Sequence, residues 1–540
     1  MINTGCSNAG IEEDIAEVLK PELLSFDLLK ENNPFLEDDI HFKPDTLNGN
    51  IIFKANLLTW IEPTPQTFIP TFLYEGSKIL FNDKEVVIGS NTLSFDEDVR
   101  CDVIGLSGER KSYTIRLICP QVNSELPLIK FSVNSNDITS KESYITTSID
   151  IYSPKEPNVK SHYEEGKIRG RGNSTWLLPK KPYRIKFPEK VSPLGLSHTK
   201  AKDWVILGHD MDKSLLRNHL AFKISEVFFD KDDLFHSPHT IAFTPSSQFV
   251  NVYFGDEYHG VYQFTDQKEK GKGRIDVETL GTEQGDDINY IRGGHVLETV
   301  YLVDNPAINF TTKHGIRIDH KYPKDDNHTE AQYKYIEEFV GCAEEVLYGN
   351  DSTDPIEGWR KYFDERSLAN FILIKEICGD MDGYISTQMY KTRESDKLFF
   401  GPVWDVDKGW GNDVRIPFPD YPPSSSLMIF AGFRMPGCED DWYCQFWKDA
   451  KFRQLVYNRW KEKREEVLEV IGNVLNEIPA NMSKSIEANF LVWPFNYQEC
   501  GDAPMPEKNY LDELSKIKRL TNERVLFLDL TLQTSAIGTN

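Results

Sequence analysis

The chain's hydrophobic period turns from strand to helix near Asp212, and that change limits the architectures open to it. Up to that point the apolar residues recur every second position in short runs bounded by Gly, Asn, Asp and Pro, the signature of strands and turns. Beyond it, Leu215, Leu216, Leu220, Ile224, Val227 and Phe228 fall on one helical face, with Asp212 as the expected N-cap. A β hairpin follows, Asn251–Phe254 with Gly260–Phe264, joined by GDEYHG. Helices are then expected over 329–347, 356–378, 446–475 and 509–533, with a short strand at 398–404. The fold class is therefore α+β, with its strands first and most of its helices last. No internal repeat is visible.

Within the β-rich part, Asn50–Leu57, Ile79–Phe81, Glu85–Ile88 and Ser112–Ile118 read as strands. Tyr113, Ile115 and Leu117 alternate with Thr114 and Arg116, as a half-buried strand requires. These place a small Ig-like β-sandwich at 46–122, preceded at 1–45 by a loosely packed acidic arm. A Pro-containing joint, Pro120 to Pro127, leads to the main domain, expected over 126–535. Its first strands are Leu128–Val133, Tyr144–Tyr152 and Lys181–Phe187.

Composition narrows the function classes. The net charge of −24 over 540 residues repels nucleic acid and anionic lipid, so neither is an expected partner. No run of about 18 apolar residues is present, so no transmembrane helix is expected. The eight cysteines form no CxxC pair and give no zinc pattern. Cys101 with Cys119, or a pair among Cys438, Cys444 and Cys500, would suit a bridge in an exported protein; buried free thiols suit the spacing equally. The first residues, MINTGCSNAG, lack the apolar core of a signal peptide, and the small residues around Cys6 are compatible with a lipoprotein processing site.

Two stretches carry chemistry. In GKIRGRGNSTWLLPKKPYRIKF, Gly166 to Phe187, three glycines permit close backbone approach to a ligand. Arg169, Arg171, Lys180, Lys181, Arg184 and Lys186 reverse the local charge of an acidic chain. Amides and cations so arranged can hold phosphate, or can form an ordinary hairpin with a solvated basic face. In GDMDGYISTQMYKTRESDKLFFGPVWDVDKGWGN, Gly379 to Asn412, four carboxylates stand in two turns: Asp380 and Asp382, then Asp405 and Asp407. A hairpin of Met389–Lys391 with Leu398–Gly401 is expected between them, and a hairpin brings its ends together. Carboxylates that close need a cation between them or a shared proton. Magnesium with phosphates fits, and so do solvated Asx turns or a structural calcium ion. In His236 and His239 the intervening Pro238 argues for a loop, and the acidic run Glu439–Asp441 reads as a solvated loop. Trp404 and Trp410 read as core anchors.

These stretches resemble the CotH kinase family. RGRGNSTW with KKPYRIKF resembles its N-lobe signature, and GDMDGYISTQMYK with GPVWDVDKGWGN its C-lobe signature. WVILGHDMDKSLLRNHLAF, NVYFGDEYHGVYQFTD and FWKDAKFRQLVYNRWKEKRE resemble segments between and after them. The resemblance implies an atypical kinase-like bilobal fold, with lobes at about 126–265 and 266–535, and an exported or cell-surface protein; the small residues around Cys6 are compatible with a lipid anchor upstream or at Cys6. It implies ATP with Mg2+ or Mn2+ and a protein or surface-polymer acceptor. By resemblance Asp382 is the catalytic aspartate and Asp405, with Asp407, the metal site. Lys186, then Lys181, is the phosphate lysine, with Glu226 its candidate partner. Arg171, Gly172, Asn173 and Ser174 form the phosphate-facing turn, and adenine lies near Gln263 to Gln267. Two positions depart from the family: Asp380 stands where Asn is frequent, and Thr387 stands at the second metal-ligand position. A pseudokinase scaffold is therefore the alternative from a second class, and a calcium-stabilised carbohydrate-active protein is a third.

Overall fold

A computed structural model describes residues 20–537 apart from 48, 63–66, 90, 124–125, 155, 197–199, 232–242, 302–308, 325, 416–424, 434–440 and 496–504. His236, His239, Glu439, Cys6, Cys438 and Cys500 lie outside the described residues.

The N-terminal module is all-β, built from two sheets. Glu22–Leu28 lies between Ile40–His41 and Thr71–Glu75 in one, and Asn50–Asn56 and Arg110–Ile118 are parallel neighbours in the other, six-stranded sheet. Tyr113, Ile115 and Leu117 point inward as their alternation predicts. The expected loose arm is, over its described residues from 20 on, part of this module. Leu23, Phe26 and Leu28 sit in its core with Phe53, Phe72 and Phe81. A bulge between Leu23 and Ser25 shifts the inward phase by one residue, which breaks the period that would have announced a strand. Cys101 and Cys119 are buried free thiols here, and burial pushes both up to about 12.

Seven strands then close into a barrel: β1 (Leu128–Phe131), β2 (Ile145–Ser153), β3 (Glu156–Gly170), β4 (Tyr183–Val191), β5 (Ala201–Leu207), β6 (Ser247–Phe254) and β7 (Glu257–Asp266). Neighbours are antiparallel except β1 and β6, whose parallel pairing joins Leu128 to Asn251 and Phe131 to Phe254. Closure removes exposed strand edges, and alternation sends every second side chain inward. Tyr183, Ile185 and Phe187 of β4 meet Trp204 and Ile206 of β5, Val252 and Phe254 of β6, and Phe264 of β7. Trp204 and Phe264 stack with centroids 5.3 Å apart. The same alternation sends Arg184 and Lys186 outward, with Val205 and Leu207.

Helix α1 (Arg217–Phe228) leaves the barrel and enters the largest core of the molecule. Asp212 does not cap it in the expected way. Its N-cap is Leu216, while the buried Asp212 carboxylate takes the Arg217 amide (2.9 Å) and guanidinium (2.6 Å). A five-stranded sheet follows, in the order β9 (Asn309–Thr311), β10 (Arg317–Tyr322), β8 (His295–Thr299), β11 (Gln388–Lys391), β12 (Phe399–Phe400). Helices α2 (Glu330–Tyr348), α3 (Glu365–Cys378), α4 (Ala450–Asn481), α5 (Ser483–Val492) and α6 (Tyr510–Ile537) complete the chain. The region 356–364, expected as helix, is turn and one short 3-10 segment, because Asp364 caps α3 by accepting from Ser367 N. Among the described residues no helix is long and apolar enough to cross a membrane.

Candidate active site

Two turns meet beside the barrel. Helix α3 ends at Gly379, whose left-handed φ of 58° turns the chain sharply. Asp380 follows, fully buried, and takes the Lys375 ammonium at 2.8 Å. Burial pushes the Asp380 carboxyl up and Asp382 adds to this, against the pull of Lys375. Asp382 emerges from this anchored turn, its amide donating to Asp380 (3.2 Å) and its side chain 33% exposed. Asp380 thus works as a buried anchor, and Asp382 is the member of the pair that a substrate can reach.

From there the chain forms the expected hairpin: Met389 pairs with Phe400 and Tyr390 with Phe399. It returns as Trp404, Asp405, Val406 and Asp407. Asp405 is exposed and holds a left-handed φ of 51°, a conformation Asp tolerates better than most residues. Its loop is tied to α1 by two neighbouring side chains. Asn218 Oδ1 accepts from Val406 N at 2.8 Å, and Arg217 Nε donates to the Gly409 carbonyl at 3.0 Å. Lys375 also donates to the Trp404 carbonyl (3.2 Å), so one ammonium ties both acidic turns together.

Trp404 is buried and joins the loop to the barrel. Its ring packs on Phe222 of α1 (5.4 Å) and, with Val205 and Leu207, forms a small separate core. The Arg171 guanidinium lies 5.7 Å from the ring and Lys268 Nζ 5.8 Å. Burial lowers Arg171, and Asp405 and Asp407 pull it back up, so the cation of the glycine turn and the acidic turn feel each other directly.

Asp407 is the most perturbed carboxyl of the site. Burial, the Asp405 charge and the fields of Asp212 and Asp380 push it up to about 7, against Lys408. Two carboxylates so crowded fit a hard cation with oxygen ligands. Among the described residues no three His, Cys, Asp or Glu converge as a complete metal cage, so any cation here takes further ligands from phosphate or water.

The other expected residues sort as follows. Gly172 has φ +86°, and a Cβ there would lie 2.1 Å from Thr175 Oγ1, so the turn requires glycine. Asn173 and Ser174 are exposed at that turn. Lys181 donates to the Trp176 and Leu178 carbonyls at 2.8 and 3.0 Å and holds the loop from within. Lys186 is exposed two residues beyond Arg184 on the same face. Arg184 is held by Asp203 and Glu269, each at 2.9 Å. Glu226 pairs with Lys223 (2.7 Å) on its own helix, not with Lys186. Gln263 is fully buried, close to His209, without a well-formed hydrogen bond to its amide. Gln267 is half-buried with Oε1 unpaired. Thr387 is buried, and its hydroxyl bonds to Tyr443 at 2.6 Å, so it does not face the carboxylates as a metal ligand must. Trp404 and Trp410 are buried, as their reading as anchors predicts.

Four contributors were not singled out in the sequence: Arg217, Asn218, Lys375 and Arg415. The first two look like ordinary residues of an amphipathic helix, and their roles depend on contacts about 190 residues away.

A further ionic group lies beside Lys268. Glu298 accepts from Lys268 (2.6 Å), Lys321 (3.2 Å) and Ser386 (3.1 Å). Burial raises its carboxyl, but the two lysines outweigh burial and hold it at about 2. A depressed carboxylate stabilises the fold fully above its unfolded value of about 4.3, and that stability is lost as pH falls toward 2. Glu298→Gln is therefore expected to remove on the order of 3 kcal/mol of pH-dependent stability in that window. Denaturant unfolding between pH 6 and pH 2 measures it.

The CotH kinase protein family model matches residues 168–528, from the third barrel strand into the last helix. The chain belongs to the CotH kinase protein family. No curated protein matches it. The CotH match covers the glycine turn, both acidic turns and α1, so the site lies wholly within the family's part of the chain, and a kinase-like function follows. Membership implies ATP and a divalent cation in general terms. The all-β module of residues 22–118 precedes the matched region.

Proposed function

We propose that this CotH protein is an atypical kinase in which the barrel and the helical unit serve as two lobes. ATP's γ-phosphoryl group passes to a hydroxyl acceptor on a protein or a surface polymer. One juxtaposition carries the reading: the two acidic turns, at opposite ends of one ribbon, share Lys375, and the second turn meets Arg171 over Trp404. As the resemblance implies, we assign the protein to the cell surface or beyond it, and the small residues around Cys6 suit a lipid anchor upstream or at that residue.

Asp382 receives the acceptor hydroxyl, orients it and takes its proton as transfer proceeds. Asp405 and Asp407 are the residues that would hold Mg2+ or Mn2+; Thr387 is left out of this set. The cation, when bound, offsets the charge of the phosphate oxygens. Arg171 and the amides around Gly172 attract the triphosphate. Gln267 is assigned to the adenine edge, while Gln263 serves packing. Lys375 fixes the spacing of the two turns. Little covalent chemistry falls to the protein, so rate comes from positioning and charge.

Thermal unfolding with and without nucleotide tests this. ATP with Mg2+ at 100 times its dissociation constant is expected to add about 2.7 kcal/mol, with a much smaller gain when the metal is chelated. A folded protein whose transition moves with no nucleotide would overturn the proposal.

A further inference from the structure

Most cations around this site are committed to partners. Lys375 is consumed by Asp380 and the Trp404 carbonyl, Lys181 by two carbonyls, Lys268 by Glu298, and Arg184 by Asp203 and Glu269. A triphosphate in an acidic cleft needs more positive charge than Arg171 supplies.

Arg415 stands beside Asp382. Its Nη2 lies 3.1 Å from Asp382 Oδ1. Its Nε donates to Asp413 Oδ1 at 2.9 Å and Nη2 to Asp413 Oδ2 at 2.5 Å, and Asp413 is buried. The guanidinium stacks 4.2 Å from the Phe433 ring, and the side chain remains 32% exposed. Among the described residues Nη1 has no partner. Asp413 and Phe433 thus fix a planar cation with Nη2 on Asp382, and among the described residues Nη1 is the nitrogen left to a ligand. A guanidinium held this way can turn its Nη1 donors to a phosphoryl oxygen beside Asp382.

We propose that Arg415 contacts the phosphoryl group in transfer. This rests on the assignment of Asp382 above: whatever hydroxyl Asp382 orients must meet phosphorus beside it, and Arg415 is the cation bonded to Asp382. In the step, the bond from the acceptor oxygen to γ-phosphorus forms while the bond from γ-phosphorus to the β,γ-bridging oxygen breaks. The hydroxyl proton goes to Asp382, and ADP leaves with the bonding pair. Arg415 exchanges no proton and offsets charge on the moving oxygens.

The test compares nucleotides that differ in the γ group. Calorimetry with Mg2+ measures AMP-PNP and ADP binding to the full chain and to Arg415→Gln and Arg415→Lys. Arg415→Gln is expected to weaken AMP-PNP about tenfold and ADP less than about twofold, with partial recovery in Arg415→Lys. Turnover of Arg415→Gln is expected to fall on the order of 10³-fold. Equal losses for both nucleotides, unchanged binding of both, or raised turnover would each overturn the proposal, the last by showing Arg415 to be a latch over Asp382. A parent chain that binds neither nucleotide would overturn the kinase reading itself, and this inference with it.

Discussion

Asp382→Ala and Asp405→Ala are each expected to lower phosphoryl transfer by on the order of 10²–10⁴-fold while the protein stays folded. The stability half of this expectation follows from exposure. Asp405 is exposed, and Asp382 and the arginine that is its ion-pair partner are each one-third exposed. Pairs in such settings contribute about 0–1 kcal/mol. Asp405→Ala also places a less tolerant residue at φ 51°, which adds about 1 kcal/mol of strain. Neither change approaches a total stability of about 5–15 kcal/mol. The activity half follows from role, since one carboxylate orients the acceptor and the other holds the cation. Radiolabelled transfer from ATP, read beside thermal melting of the same samples, measures both halves. Turnover kept within a factor of about two in both variants would remove the assignment.

Arg217→Met is expected to cost about 3–5 kcal/mol, the largest stability loss of any single change considered. The Arg217 guanidinium is fully buried, bound to Asp212 (2.6 Å), Glu513 (2.7 Å) and the Gly409 carbonyl (3.0 Å). Its removal leaves two buried carboxylates facing each other without a cation. It also removes one of the two ties between the Asp405 loop and α1, and the guanidinium's bond to Glu513 of the last helix. Burial raises Asp212, yet Arg217 holds it net below the usual range. That contribution is present above pH 4 and lost as acid protonates the group. Denaturant unfolding of Arg217→Met beside Arg217→Met/Glu513→Gln measures the loss; the second change is expected to return part of it by removing one stranded charge. A loss under about 1 kcal/mol would mean the triad is not what joins α6 to the site.

Much of this was legible in the chain, and the reasons differ by element. Tyr183, Ile185 and Phe187 announce their strand through strict alternation, and the Met389–Phe400 hairpin through two β runs around a polar turn. The nearness of the two acidic turns was legible because a hairpin brings its ends together, and the pairing of Met389 with Phe400 does so. Other elements gave no local signal. The strand Glu22–Leu28 was hidden by its bulge, and β3 by its polar composition. Barrel closure rests on Leu128 finding Asn251, a pairing that local pattern does not encode. Within the site, alternation puts Arg184 and Lys186 on one face, so period alone does not choose between them. Asp212 reads locally as a helix cap, whereas its partner Arg217 is completed by Glu513, 296 residues further on.

Diffraction from crystals grown with AMP-PNP and Mn2+ tests the central claim most directly, because manganese scatters anomalously. The expected map has its anomalous peak bounded by the Asp405 and Asp407 carboxylates, with the terminal phosphate between Arg171 and Arg415. A peak elsewhere would contradict the account, as would nucleotide seated in the 1310 Å3 cleft lined by Asp98, Tyr163, Leu194 and Lys484.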